Sequence, residues 1–253
     1  MTGLIAAEVR KLRSVRTTYV LTAVGLLLVA VSVGFFLFEE TLSGPFVGTD
    51  AQVGAAIDQI GGNSVIVLVV GLLVMTTEFR HGTIGRTLQI TPRRRRVLLS
   101  KLGAGVAYAV VFFVAGLVLV VVGILMASLL RDVDLDLGVA SARAVWHGIL
   151  GLALTAVFGV ALGALIRGQV VAVAVTLVWV FVAENLLNAF APALGRWLPF
   201  QTLQAVFLSD EVLATTPQGM LSPLAPTVAL VVFLGYVVLF AVAALAVLHS
   251  RDV

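Results

Sequence analysis

Six long apolar runs set the limits on this fold. They cover roughly residues 18–38, 62–77, 102–130, 144–166, 170–190 and 226–248. A helix needs about 20 apolar residues to cross the hydrocarbon of a bilayer. The second run is short and is expected to begin before Gly62, whereas the third is long enough to tilt or to project beyond the bilayer. None shows the two-residue alternation of a barrel strand, so the backbone must satisfy its hydrogen bonds within each segment, as a helix. Composition agrees. Only 11% of the 253 residues are charged and the mean hydropathy is +1.13, too little polar surface to coat a globule in water. The expected class is an all-α polytopic membrane protein with six transmembrane helices in a single domain over 1–253.

Charge gives the orientation. With the N-terminus inside, thirteen Lys and Arg residues fall on the inner side and only Arg131, Arg143 and Arg196 on the outer, while most acids fall outside. That is a strong positive-inside bias, with both termini cytoplasmic. No cleavable signal peptide is expected, because a long basic segment precedes the first run. Within 1–17, Ile5, Val9, Leu12, Val15 and Tyr19 recur at helical spacing, with Arg10 and Arg13 on the other side. The segment reads as an amphipathic helix on the inner membrane surface or, more plainly, as a basic topogenic leader. Glu8 lies within its apolar face and reaches Lys11 one turn on.

The polar island 78–101, EFRHGTIGRTLQITPRRRRVLLSK, carries seven of the sixteen Lys and Arg residues. Gly82 and Gly85 weaken helix continuation and Thr91 before Pro92 marks a turn. The expected shape is a short helix, a bend and a second helix running from Arg93 into the third span. Such a shape suits a groove on a cytoplasmic partner. Arg93, Arg94, Arg95 and Arg96 taken alone read as a topology signal and an anionic-lipid contact. Nucleic-acid binding lacks a folded basic surface to support it.

Elsewhere the loops are outer ones. The first, about 39–61, is expected to be irregular; the second, 131–143, is short and acidic. The third, 191–225, contains an apolar patch from Trp197 to Leu208 too short to span, which suits a re-entrant or interfacial helix or a folded loop. Glu184 is the one acid inside an apolar run, with Asn185 and Asn188 beside it. Intramembrane ionisable groups mark a cavity or a partner, so these three residues are candidates for a substrate path or dimer seam. The alternative is that they reach water at the outer edge. Gly159 and Gly163 form a small-residue pair for close helix approach, within the chain or between subunits. Trp146, Trp179 and Trp197 read as interfacial anchors or packing.

There is no phosphate-binding G-x-x-x-x-G-K-[ST] loop, no H-E-x-x-H zinc pair and no cysteine. His81, His147 and His249 are scattered. No catalytic residue, metal site or cofactor is expected on this chain, and an intramembrane enzyme has no support.

The pattern E-F-R-x-G-T after the second span, then T-P-R-R-R-R and a lysine opening the third, resembles bacterial ABC transporter permeases of the type-2 export family. The likeness extends over essentially the whole chain, including the basic leader and the Leu198–Pro199–Phe200 segment. The resemblance implies a coupling helix after the second span that docks on a separate ABC ATP-binding subunit, with Glu78, Phe79, Arg80, His81, Gly82 and Thr83 as the contact. It implies ATP and Mg on that partner, a second permease subunit (same or homologous), and residence in the bacterial plasma membrane. The cargo does not carry over. An ATP-independent secondary transporter or channel and a membrane scaffold or immunity-type binding protein remain as other classes. The first would call for more polar residues within the spans.

Overall fold

A computed structural model of the chain describes residues 2–38, 46–83, 85, 89, 93–166, 168–208 and 223–250. Among them every regular element is helical. Six helical segments are long and apolar enough to cross a membrane: Arg16–Phe38, Asp50–Arg80, Arg94–Arg131, Val139–Leu165, Gln169–Phe190 and Pro226–Leu248, here spans 1 to 6. The leader forms its own helix, Thr2–Ser14. The expected turn at Thr91 and Pro92, and the parts of the expected loops that fall in 39–45 and 209–222, lie outside the described residues.

The spans divide into inner and outer ones. Buried residues make up 72% of the apolar window of span 2 and 61% of that of span 4, against 22–33% in the other four. Spans 2 and 4 therefore form the spine and the rest wrap around it. Glycine makes that contact close. Gly71 lies against Gly159, and a Cβ on Gly163 would meet the Leu72 carbonyl oxygen. The Gly159–Gly163 pair is thus spent on packing within the chain, where backbones approach without side chains between them.

The first outer segment departs from expectation. Asp50–Gly62 is a helix, not irregular loop. Thr49 caps its start by accepting the Gln52 amide. Val53, Ala56, Ile57 and Ile60 are all buried and recur at helical spacing, which three glycines and four polar residues hide from a hydropathy scan. The helix breaks at Asn63 and resumes as Ser64–Arg80. Asn63 Nδ2 donates to the Gln59 carbonyl at 3.0 Å, stitching the break. On the same side of the bundle, Asp50 accepts the amides of Gly138, Ala140 and Ser141 at 2.8–2.9 Å. Its carboxylate caps the exposed N–H groups that open span 4.

The Trp197–Leu208 patch contains a short helix, Pro199–Val206, with Phe200, Leu203, Ala205 and Val206 buried. Phe158 of span 4 is the hub of an aromatic group, with ring centroids 5.9 Å from Phe200, 5.7 Å from Phe233 and 5.0 Å from Phe240. Tilted and edge-on pairs of this kind contribute about 0.5–1.5 kcal/mol each beyond their buried area. They lock the short helix and span 6 onto span 4.

Candidate functional site

The C-terminal end of span 2 is built as a rigid corner. The helix stops at Arg80, His81 is its cap, and Gly82 follows at φ +63°. The Thr83 amide donates to the Glu78 carbonyl at 3.0 Å and the Gly82 amide to the Phe79 carbonyl at 3.3 Å. These two bonds are the Schellman motif, which uses a residue in the left-handed region to close a helix. A Cβ on Gly82 would meet nothing within 4 Å, so only the backbone angle calls for glycine. Gly82→Ala is expected to cost about 1–2 kcal/mol, and Gly82→Asn less, because asparagine visits that region. Thermal unfolding in detergent and protease cleavage after Arg80 would both read the difference; equal behaviour of the two variants would rule out the backbone angle as the constraint.

Beneath the corner lies a four-member ion cluster. Lys101, fully buried in span 3, contacts Glu8 Oε2 at 3.0 Å, Glu78 Oε1 at 2.9 Å and the Val74 carbonyl at 3.3 Å. Those three acceptors match the three N–H groups of its ammonium. Lys11 lies 2.7 Å from both Glu8 Oε1 and Glu78 Oε1. Two positive and two negative charges therefore tie the leader, span 2 and span 3 together with no net charge. Burial opposes the Lys11 ammonium, but hydrogen bonds and attraction from Glu78 and Glu8 prevail and hold its pKa above the usual lysine value. The second oxygen of Glu78 is buried without a partner among the described residues. A cavity of about 130 Å³ adjoins it, lined also by Lys11, Arg80, His81 and Gln169.

This geometry sorts the residues expected to meet a partner. Glu78 is 7% exposed and turned inward to the two lysines. Phe79 is half-buried against a second apolar cluster around Met75, Leu98 and Ala164. Arg80, His81, Gly82 and Thr83 are exposed. Arg80 also donates to Gln169 Oε1 at 3.4 Å, joining the end of span 2 to the start of span 5. Of the arginine run, Arg93 precedes the span 3 helix, Arg94 bonds the Leu248 carbonyl near the end of span 6, and Arg95 and Arg96 are exposed. Only the Glu8–Lys11 contact was visible from spacing. Lys101 carried one signal, a lysine followed directly by an uninterrupted apolar run.

Glu184 has a structural assignment. It is fully buried and accepts the Phe200 amide at 3.0 and 3.2 Å, the Gln201 amide at 3.0 Å and the Trp179 indole N–H at 2.7 Å. The Pro199–Val206 helix opens with a proline and has Leu198 at its cap position, which has no side-chain acceptor. Its free amides need an anion from elsewhere, and span 5 provides it. Span 5 is widened just before Glu184 by a π-helical turn, Trp179–Ala183. Asn185 donates there to the Val180 and Phe181 carbonyls, both at 3.1 Å. Asn188 reaches Gln201 Oε1 at 3.4 Å. Nearby a cavity of about 590 Å³ opens between spans 1, 2 and 5 and the short helix, with Asn63, Asn185, Gln201 and Gln204 on an otherwise apolar lining. Asn185 lines it, whereas Glu184 and Asn188 do not.

Two buried spans, four spans around them and a basic leader ionically fixed at one end make up the described bundle. The model of the ABC-2 family transporter proteins matches residues 4–183, from the leader through the π turn of span 5. The chain belongs to the ABC-2 transporter family. A search of curated proteins found no match. As an ABC-2 chain it is a multi-pass membrane component of a transporter, in a family whose members as a rule lack an ATPase domain of their own. The matched stretch contains the whole ion cluster and the exposed corner Arg80–Thr83.

Proposed function

We propose that this chain is the transmembrane subunit of an ATP-driven exporter, with the corner at Arg80–Thr83 as the handle by which a separate ATP-binding subunit moves it. The observation that carries this reading is the stiffness of that corner. Force from a soluble motor enters a helix bundle only through a rigid, exposed element. Here the Schellman turn fixes the backbone and the four-charge cluster fixes the turn to the leader and span 3. Arg80, His81 and Thr83 offer donors and charge to the partner, Gly82 sets the bend, and Phe79 and Glu78 anchor the corner from within. ATP and its magnesium belong to the partner chain.

Two permease subunits, identical or homologous, form the working unit in the plasma membrane, with both termini cytoplasmic. The carboxamide-lined cavity beside Asn185 is the natural place for cargo to pass, between a lipid-facing span and the broken spine helix. Arg95 and Arg96 face anionic lipid.

The test is purification of the tagged chain from its own cells in mild detergent, followed by identification of co-purifying ATP-binding chains. Arg80→Glu is expected to weaken that association about tenfold or more, as reversing a charge at an interface does, while the chain still inserts and stays monodisperse. Full export by the chain reconstituted alone, without any ATPase, would overturn the reading.

A further inference from the structure

A groove of about 490 Å³ runs between the leader helix, span 1 and span 3. Its floor is span 3 from Ala104 to Ala115, where the part-exposed Ala107 and Ala115 leave room that larger side chains would fill. At 1.5 Å per residue that floor is about 16 Å long, close to half of a hydrocarbon core of about 30 Å. The groove is therefore one leaflet deep. The hydroxyls of Thr22 and Tyr108 on its wall bond each other at 3.0 Å, so neither needs a partner from outside. The leader closes one side and sets Arg13 on the lining. Arg13 is exposed, and no ion pair among the described residues engages it. Arg10 and Arg16, each three residues away and both exposed, add positive charge around it.

We propose that this groove holds one acyl chain of an anionic phospholipid whose phosphate pairs with Arg13. Charge and depth together choose this occupant. An apolar trough of one-leaflet length with a guanidinium on its lining that no ion pair among the described residues engages matches a molecule with a single-leaflet tail and a negative head. Filling it restores contacts that an empty trough forfeits. The bound lipid would then be a third side of the leader's seat, alongside the ion cluster and the Ile5 contact on Gly103. The inference needs the leader at the membrane surface but no ATPase, so its failure would leave the docking proposal standing.

The experiment reconstitutes the full chain in nanodiscs of equal phosphatidylglycerol and phosphatidylcholine, each doped in turn with a photo-crosslinkable acyl-chain analogue. Crosslinks are mapped by mass spectrometry. Retained lipid is counted after delipidation in detergent. The expected result is about one phosphatidylglycerol retained per chain, with crosslinks on span 3 between Ala104 and Ala115. Arg13→Gln should lower the phosphatidylglycerol crosslink about fivefold, the factor for one basic residue near an anionic surface. Ala107→Trp should abolish it by filling the groove, and Leu125→Trp, exposed on the same span about 15 Å beyond Ala115, should leave it unchanged. Should Ala107→Trp fail to fold, Ala107→Leu tests the same point. Equal retention of both lipids, loss of labelling in Leu125→Trp as in Ala107→Trp, or chain-to-chain crosslinks at Ala107 in place of lipid would each overturn the proposal.

Discussion

Replacing Lys101 with methionine is expected to lower the unfolding temperature of the purified chain by about 10 °C. The ammonium is the centre of the ion cluster and has no exposure to water. Removing it leaves Glu8 and Glu78, both buried, sharing the single partly exposed Lys11. Breaking a buried pair from one side costs about 3–5 kcal/mol, because the abandoned charge stays behind. The companion variant decides the mechanism. Lys101→Met with Glu78→Gln removes one charge of each sign and keeps the Glu8–Lys11 pair, so it should recover most of the loss. Unfolding followed by the fluorescence of Trp146, Trp179 and Trp197 measures both. An unchanged midpoint in Lys101→Met, or no recovery in the double variant, would show that the cluster is not coupled. Because the chain has no cysteine, a single one placed at Ile5 would report by labelling rate whether the leader has come loose.

Glu184→Gln is the second large effect, expected to destabilise the chain by about 2–3 kcal/mol, since hydrogen bonds to a charged group each contribute about 1.5–3 kcal/mol. Glutamine keeps one acceptor oxygen but turns an NH₂ group towards amides that are themselves donors. The start of the Pro199–Val206 helix loses its anion, and Trp179 emission should shift as its indole partner changes. Glu184→Asp, which keeps the charge on a shorter arm, should fall between the two. A Glu184→Gln chain with an unchanged midpoint and unchanged tryptophan emission, yet deficient in transport, would reverse the assignment and return this carboxylate to the cargo path.

The spans were legible because lipid solvation is a bulk property of a 20-residue window. The expected limits of spans 5 and 6 lie within about two residues of the observed ones. The extension of span 3 back towards Arg93 was visible too, because the turn marked by Thr91 and Pro92 leaves Arg93 to Lys101 to run as a helix into it. What a window cannot see is cancellation. In Asp50–Gly62 the polar and apolar residues average out, although the buried face repeats every three to four positions. The corner that closes span 2 was legible in location and not in detail. The turn at Gly82 follows from one glycine after a helix-ending arginine. That Glu78 turns away from the surface depends on Lys101, 23 residues later, and on a leader 70 residues earlier. Glu184 stood out as an intramembrane acid, but its reason lay in the Leu198–Pro199 pair, a helix start with no acceptor of its own. Acid and unfilled start, read together, would have pointed to the cap.

The break at Asn63 divides span 2 into two pieces held to span 4 by different means. The Asp50–Gly62 helix is fastened to the start of span 4 by the Asp50 carboxylate. The Ser64–Arg80 segment, seventeen residues and about 25 Å long, lies backbone to backbone against span 4 at Gly71 and Gly159 and is tied at Glu78 to Lys101. A strut seated along its length in this way does not bend, so a push applied at its Arg80 end would be delivered whole to span 4.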